Sequence, residues 1–377
     1  MLVRRLEPRK ISTRFNPGFE TERRFKMRMV TSEIGQPLEG VHSLYKFLCA
    51  MYDTCAVQRN LYRKCNIMHR DINDKNIMFA PDTDAYREHN WEDCAQVKFV
   101  NQVLAKDKSV NPAPQCLVID LGNGADLEVE RGLDALTEMT GTPKFIARSV
   151  SSGKLLGKKG FSSREVDMPL MEGVLAEYLQ FMHATEYQVL DNPGSTIPSA
   201  AEFAHRVFHD AESTFWVIAW TLARSIKKFA HRLFHDAEST FWVIAWTLAR
   251  SIKVGSEQEE IPHIKFRQFF HIMSTHYPIP EGFDSRQFYY EDWKFNLHPD
   301  LAALVPMLAN MFEYVRPEWA YRPDLDAEHV HEALMRLLLI EIVNIKNGTD
   351  IDIHIGGRDS PPPPPGQGRL PECYGLP

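Results

Sequence analysis

The chain lacks most of the features that would mark a secreted, membrane-spanning or nucleic-acid-binding protein. Its six cysteines (Cys49, Cys55, Cys65, Cys94, Cys116 and Cys373) include no C-x-x-C pair, so neither a disulfide framework nor a zinc site is indicated, and a reducing compartment, cytoplasm or nucleus, fits best. The longest apolar runs, around Trp216 and Trp242, are too short to cross a bilayer, and the first residues, Met1-Leu-Val-Arg-Arg-Leu-Glu-Pro8, carry no apolar leader. The Asn347-Gly-Thr sequon is then without use. Strong charge of either sign is also missing: a net charge of −7 and a pI near 6.1 give no field that would draw the chain to nucleic acid or an anionic membrane. What remains is an ordinary globular composition over 377 residues, 44% hydrophobic and 25% charged, enough for a sizeable core.

Chemistry is densest between Ile67 and Phe79, which read I-M-H-R-D-I-N-D-K-N-I-M-F. Asp71 follows His69-Arg70, Asn76 comes five residues later, and apolar Ile67, Met68, Ile77 and Met78 flank the group. A carboxylate that takes the proton of an attacking hydroxyl, near an amide oxygen that holds a metal ion on phosphates, is the pairing that phosphoryl transfer requires. Asp and Asn also suit turns, so this stretch alone does not decide. Two more follow in order: Cys116-Leu-Val-Ile-Asp-Leu-Gly122, a strand-like run ending on Asp120, and Thr140-Gly-Thr-Pro-Lys-Phe-Ile-Ala147.

In that order these segments resemble the catalytic loop, the Asp-Phe-Gly segment and the activation-segment end of protein kinases. Together with Met27-Arg-Met-Val-Thr-Ser-Glu-Ile-Gly-Gln-Pro-Leu38 and His209-Asp-Ala-Glu-Ser-Thr-Phe-Trp-Val217, they resemble the fungal-type protein kinase family from roughly Met27 to Ile252. The resemblance implies an α+β, predominantly α fold built as a protein kinase-like large, C-terminal lobe. It also implies transfer of the ATP γ-phosphate to a Ser/Thr hydroxyl of a protein substrate. Asp71 would be the base, with Asn76, His69 and Arg70 completing the catalytic set. Asn76 and Asp120 would hold Mg2+, Asn76, Asp120 and Gly122 would face the nucleotide, and Thr142 would hydrogen-bond near Asp71.

Several positions depart from the family pattern. No G-x-G-x-x-G loop, strand lysine or helix glutamate precedes Phe25, so a truncated small lobe and weak Mg-ATP binding are expected. Residues 1–24 read as a basic arm, and Met1 to Arg28 hold nine Lys/Arg against three Glu. The alternation of Phe25, Met27 and Met29 predicts a strand leading into a hinge over Thr31 to Gly40. Apolar residues from Val41 through Leu44, Leu48, Met51, Cys55 and Tyr62 predict an amphipathic helix that delivers the chain to Ile67. A surface insertion is expected at about 80–115. Ser149 stands where the family carries a glutamate that pins the activation segment, which predicts a looser segment, and 151–164 reads as a flexible loop. Asn73 replaces a lysine, with Lys75 two residues further on. The kinase domain is thus expected over 25–345, followed by a Pro-rich disordered or polyproline tail at 346–377. A role for that tail as an SH3 or WW ligand is the weaker reading beside an inert spacer.

Phe203–Lys228 and Phe229–Val254 are the same unit, differing only at Val207/Leu233 and Lys228/Val254. Each predicts an N-capping Asp (Asp210, Asp236) before a helix apolar all round, which belongs in a core. One lobe has a single such slot. The pairs His205/His209 and His231/His235 have metal-ligand spacing on a helix but no third ligand, so structural histidines are favoured.

Two other classes of function compete with the kinase. A pseudokinase or scaffold would keep the lobe as an interaction surface, and the missing small lobe, Ser149 and the doubled helix favour it. A small-molecule kinase of aminoglycoside or choline type shares the Asp-x-x-x-x-Asn spacing, but Arg70 and the Gly-Thr-Pro segment argue against that branch.

Overall fold

A computed structural model describes residues 35–87, 89, 91, 96–127, 140–153, 155–156, 167–182, 231–278, 286, 288–322 and 325–364. The basic arm, the strand at 25–29, the first repeat copy, most of 151–164 and the tail beyond 364 lie outside these residues. Five helices longer than ten residues organise the rest: α1 (Leu44–Cys65), α2 (Leu233–Ala249), α3 (Ile264–Thr275), α4 (Val305–Val315) and α5 (His329–Asn347). The protein is mixed helix and strand, with helix predominant.

The helix α1 begins where the Ser43 hydroxyl accepts the Lys46 N–H at 3.0 Å, and it ends on Asn66, whose left-handed backbone (φ 49°) halts the helix. The long stretch between them buries Leu44, Phe47, Leu48, Met51, Tyr52 and Cys55, and these lie against α5 and α2. All residues of α2 are buried, which a helix apolar on every side requires. Its few hydroxyls are satisfied locally: Ser239 and Thr240 each donate to a carbonyl four residues back at 2.9 Å. Phe241 and Trp242 pack edge-on with Trp293 and Phe312, closing the core against α4.

Buried ion pairs link α1 to α5 and the residue before it. Arg59, fully buried on α1, donates to Glu328 and, at 2.6 Å, to Glu332, and Arg336 meets the other Glu332 oxygen at 3.1 Å. Gln58 joins the three central helices, donating to Thr240 of α2 at 2.9 Å and meeting His331 of α5 at 2.9 Å. Burial first, and the neighbouring Arg59 next, push His331 down to about 3, so it sits in the core as a neutral ring.

Among the described residues three small antiparallel sheets carry the connections. β1 (Gln36–Pro37), β3 (Ile77–Phe79) and β4 (Cys116–Val118) form one, in the order β1-β3-β4, with Pro37 opposite Met78 and Ile77 opposite Val118. β2 (Ile67–Met68) pairs with β5 (Ala125–Asp126), and β6 (Ile252–Lys253) with β7 (Ile353–His354). Residues 36–40 of the expected hinge thus form β1 and a short 3-10 turn.

Two expectations need correction. The stretch between β3 and β4 is more than a surface insertion: Val97, Phe99, Val100 and Val103 are buried, Asn60 exchanges hydrogen bonds with both backbone groups of Val97, and Asp53 accepts the amides of Val100 and Gln115 at 2.7 Å. Nor is the tail disordered from residue 346. Asp350 accepts from the Ser43 hydroxyl at 2.6 Å, Ile353 and Ile355 are buried, Arg358 donates to the carbonyls of Ala249 and Asn296, and Arg267 donates to those of Pro362 and Pro363. Arginine donors satisfy carbonyls that a proline run cannot pair by itself, and this seats residues 348–364 as a strap.

Candidate active site

The antiparallel pairing of β3 with β4 brings the two acidic motifs together, because the Ile119 amide, next to Asp120, donates to the Asn76 carbonyl at 2.9 Å. His69 reinforces the junction. Its Nε2 meets the Ile119 carbonyl at 2.9 Å; a carbonyl only accepts, so Nε2 carries the hydrogen and Nδ1 accepts the Asp71 amide at 3.3 Å.

Asp71 itself is held asymmetrically. Its Oδ1 accepts from the Thr142 amide (2.9 Å), the Thr142 hydroxyl (2.9 Å) and Asn73 Nδ2 (3.0 Å). Its Oδ2 takes one long contact, from Asn123 Nδ2 at 3.3 Å. Thr142 can approach because Gly141 adopts φ 130°, and a Cβ there would press on Ile146 and the Arg70 carbonyl. The expected Thr142 contact is therefore present. Asn73 and Asn123 were not among the expected site residues. Asn73 Nδ2 also donates to the Thr142 hydroxyl at 2.9 Å, while its Oδ1 accepts the Lys75 and Asn76 amides at 2.9 and 3.0 Å, so one side chain ties Asp71 to Thr142 and closes the turn after it.

Asn76 is oriented by its own donor. Nδ2 donates to the Asp71 carbonyl at 2.9 Å, which leaves Oδ1 accepting from no described residue. Asp120, exposed, takes only a 3.3 Å bond from the Gly122 amide. A pair of unengaged oxygens, one carboxylate and one amide, suits a hard divalent cation such as magnesium, which keeps several waters and asks few ligands of the protein. Asp120 and Arg70 also sit in the left-handed region, at φ 62° and 67°. Among the described residues the other two non-glycine residues there, Asn66 and Lys106, end helices, whereas these two lie at the site, where backbone strain tends to be stored.

Beneath the loop, Asp236 of α2 accepts the backbone amides of His69 through Oδ2 and Arg70 through Oδ1, both at 3.0 Å, and His231 Nε2 reaches Oδ1 at 3.0 Å. Burial acts to raise this carboxyl, but His231, followed by His69 and His331, overcomes burial and holds it below the ordinary range. Asp236 is not the N-cap that the sequence predicts. The helix starts at Leu233, the Arg232 amide is taken by His235 Nδ1 at 2.7 Å, and Asp236 is thereby free to reach the loop. The two histidine rings lie 5.1 Å apart, but His231 Nε2 meets Asp236 and both His235 nitrogens are engaged, by the Arg232 amide and the Ser149 hydroxyl; among the described residues no cluster of three or more metal-ligating side chains occurs.

Ser149 does not leave the activation segment loose. Arg148 donates through Nε to Glu238 of α2 at 2.7 Å and through its amide at 3.1 Å, and its Nη2 donates to the carbonyls of Val315 and Arg316. Next to it, Ser149 Oγ accepts from His235 Nε2 at 3.0 Å. The segment is pinned by a buried ion pair whose cation lies on the segment and whose carboxylate lies on the lobe.

The chain matches the fungal protein kinase family over residues 4–222, which takes in the His69–Asn76 loop, Asp120 and Thr142. The chain belongs to the fungal protein kinase family. No curated protein and no solved structure matches it. The family match ends within the first repeat copy, whereas the helix seated under the catalytic loop is the second. Identity at all but two repeat positions explains how either copy satisfies the family pattern. Among the described residues, no helix is long and apolar enough to cross a membrane.

Proposed function

We propose that the chain is a protein kinase that moves the γ-phosphoryl group of ATP to a Ser/Thr hydroxyl of a protein, with Asp71 as the base. The observation that carries this reading is the inequality of the two Asp71 oxygens. Oδ1 is committed to three donors, and Oδ2 is left to orient the incoming hydroxyl and receive its proton as the oxygen–phosphorus bond forms and ADP departs. Asp120 and Asn76 Oδ1 would hold magnesium, which supplies neutralisation of the phosphate charge. His69 and Asp236 position the loop backbone, so the base is oriented before substrate arrives. The Arg148–Glu238 anchor fixes the Thr140–Arg148 end of the segment, which favours the kinase reading over the scaffold.

The test is transfer of labelled phosphate from ATP to a Ser/Thr peptide library by the full chain. Asp71→Asn is expected to lower turnover by about 10²-fold or more while nucleotide affinity stays within about twofold. Asp120→Asn is expected to weaken magnesium-dependent nucleotide binding instead. Turnover retained in Asp71→Asn overturns the assignment.

A further inference from the structure

Beside the catalytic loop lies a cavity of about 260 Å3 that the proposed chemistry leaves unused. Its walls come from four separate parts of the chain: Glu39 after β1, Asp74 and Lys75 from the loop between Asp71 and Asn76, Trp246 and Arg250 at the end of α2, and Gly356 of the strap. The Arg250 guanidinium stands 5.1 Å from the Trp246 ring centroid, and Lys144, from the activation segment, stands 4.0 Å from it. Among the described residues, none of Lys75, Lys144 and Arg250 forms an ion pair. Among the described residues the walls hold two cations, Lys75 and Arg250, and two acids, Asp74 and the exposed Glu39, and Lys144 on the same indole adds a third cation.

We propose that this cavity is an acceptor-polypeptide subsite that takes an acidic side chain, carboxylate or phosphorylated, lying a few residues from the hydroxyl delivered to Asp71. The assignment rests on the kinase reading. Lys75 and Asp74 are separated from Asp71 by only three and two residues, so an acceptor chain that delivers its hydroxyl to Asp71 runs past the loop that also walls the cavity. Charge points to its sign. Burial, and after it Arg250 and Lys75, push Lys144 below its ordinary range against the pull of Asp74, a state that an entering anion relieves. The indole offers an apolar floor for the methylene groups of such a side chain. The strap gives the site a wall that depends on residues beyond α5: a Cβ on Gly356, at φ 75°, would lie 3.4 Å from Arg250 Nη2, and the Arg250 carbonyl accepts the Arg358 amide at 3.0 Å.

The experiment uses the full chain and three fluorescent peptides, each with one serine in a neutral background and flanked by Glu, Gln or Lys. Binding is read by anisotropy and transfer separately with labelled ATP. The Glu peptide is expected to bind about tenfold more tightly than the Lys peptide, the sum of a few half-exposed charge pairs, with the preference shrinking as salt rises. Lys75→Glu and Arg250→Glu, each checked for a cooperative melt, are both expected to abolish or reverse that order, and two variants guard against one failing to fold. Equal binding of the three peptides with transfer intact overturns the subsite and keeps the kinase reading. Charge-selective binding, lost in both variants, without transfer to any peptide keeps the anion site and removes the kinase reading, and with it the acceptor role. Displacement of the Glu peptide by ATP at equal concentration makes the cavity a nucleotide-phosphate site and overturns the proposal.

Discussion

Arg148 and Glu238 meet at 2.7 Å with both side chains about 5% exposed, and this pair fastens the activation segment to the central helix. Glu238 Oε1 also accepts from Trp242 Nε1 at 3.1 Å, so one oxygen serves three donors. Removing one partner of a buried pair leaves the other charge unsatisfied, a loss of about 3–5 kcal/mol. Glu238→Ala is therefore expected to destabilise the fold by that amount in urea unfolding. Ser149→Ala, which gives up a single hydrogen bond to His235, is expected to cost about 1 kcal/mol. Equal effects from the two would mean that the serine, and not the ion pair, holds the segment.

Asn73 is the side chain on which the position of Asp71, the proposed base, depends, since it contacts Asp71, Thr142 and the amides of Lys75 and Asn76 at once. Asn73→Ala is expected to lower kcat by about 10²-fold through misplacement of Asp71, with KM for ATP nearly unchanged because Asn73 is not placed on the nucleotide. A fall in ATP affinity with kcat preserved would assign the residue to the nucleotide side.

That His69, Asp71 and Asn76 come together was legible in their spacing, whereas the short strands β2 and β3 on either side were not read from the apolar flanks, which are too brief to show a period. Thr142 was legible from the Gly-Thr-Pro run. Asn73 was not, because in sequence it reads only as the loss of a lysine, while its value lies in contacts that the turn creates. Arg148 and Glu238 lie 90 positions apart, and reversing the polarity of the anchor removes the glutamate by which it would be recognised. The strap was hidden by composition: a proline run signals an extended chain but says nothing of Arg267 and Arg358, which seat it.

Asp53 offers a pH test. Burial outweighs the two amides it accepts and raises its carboxyl from 3.8 to about 7. The native state then keeps a proton that the unfolded chain has released between about pH 4 and pH 7, so this group stabilises below that window and its contribution is lost as pH rises through 7. His331, lowered from 6.5 to about 3, acts with the opposite slope, losing its contribution as pH falls. The informative quantity is therefore the difference between wild type and Asp53→Asn at each pH. Urea unfolding at pH 5 and pH 8 is expected to show Asp53→Asn gaining a few kcal/mol relative to wild type on going to the higher pH. A difference that does not change with pH would mean that Asp53 stays ionised throughout.

The repeat allows a comparison in which the two outcomes differ at two positions, only one of them buried. Deleting Phe203–Lys228 leaves the seated helix as it is, whereas deleting Phe229–Val254 obliges the first copy to enter the same slot with Val207 in place of Leu233 and Lys228 in place of Val254. Leu233 is 2% exposed and packs with Met68, Ala125 and Tyr62, so its shortening leaves a small void worth about 1 kcal/mol. Val254 is 54% exposed, and lysine there is expected to be neutral. Both deletions should therefore melt cooperatively, with the second less stable by about 1 kcal/mol, a shift of about 2 °C for a chain of this size. Point variants sharpen the comparison. In the intact chain Asp236→Ala removes the acceptor of the His69 and Arg70 amides and is expected to reduce both stability and turnover, while Asp210→Ala leaves both unchanged. If deletion of Phe203–Lys228 instead abolishes the cooperative melt, the first copy is an integral part of the core.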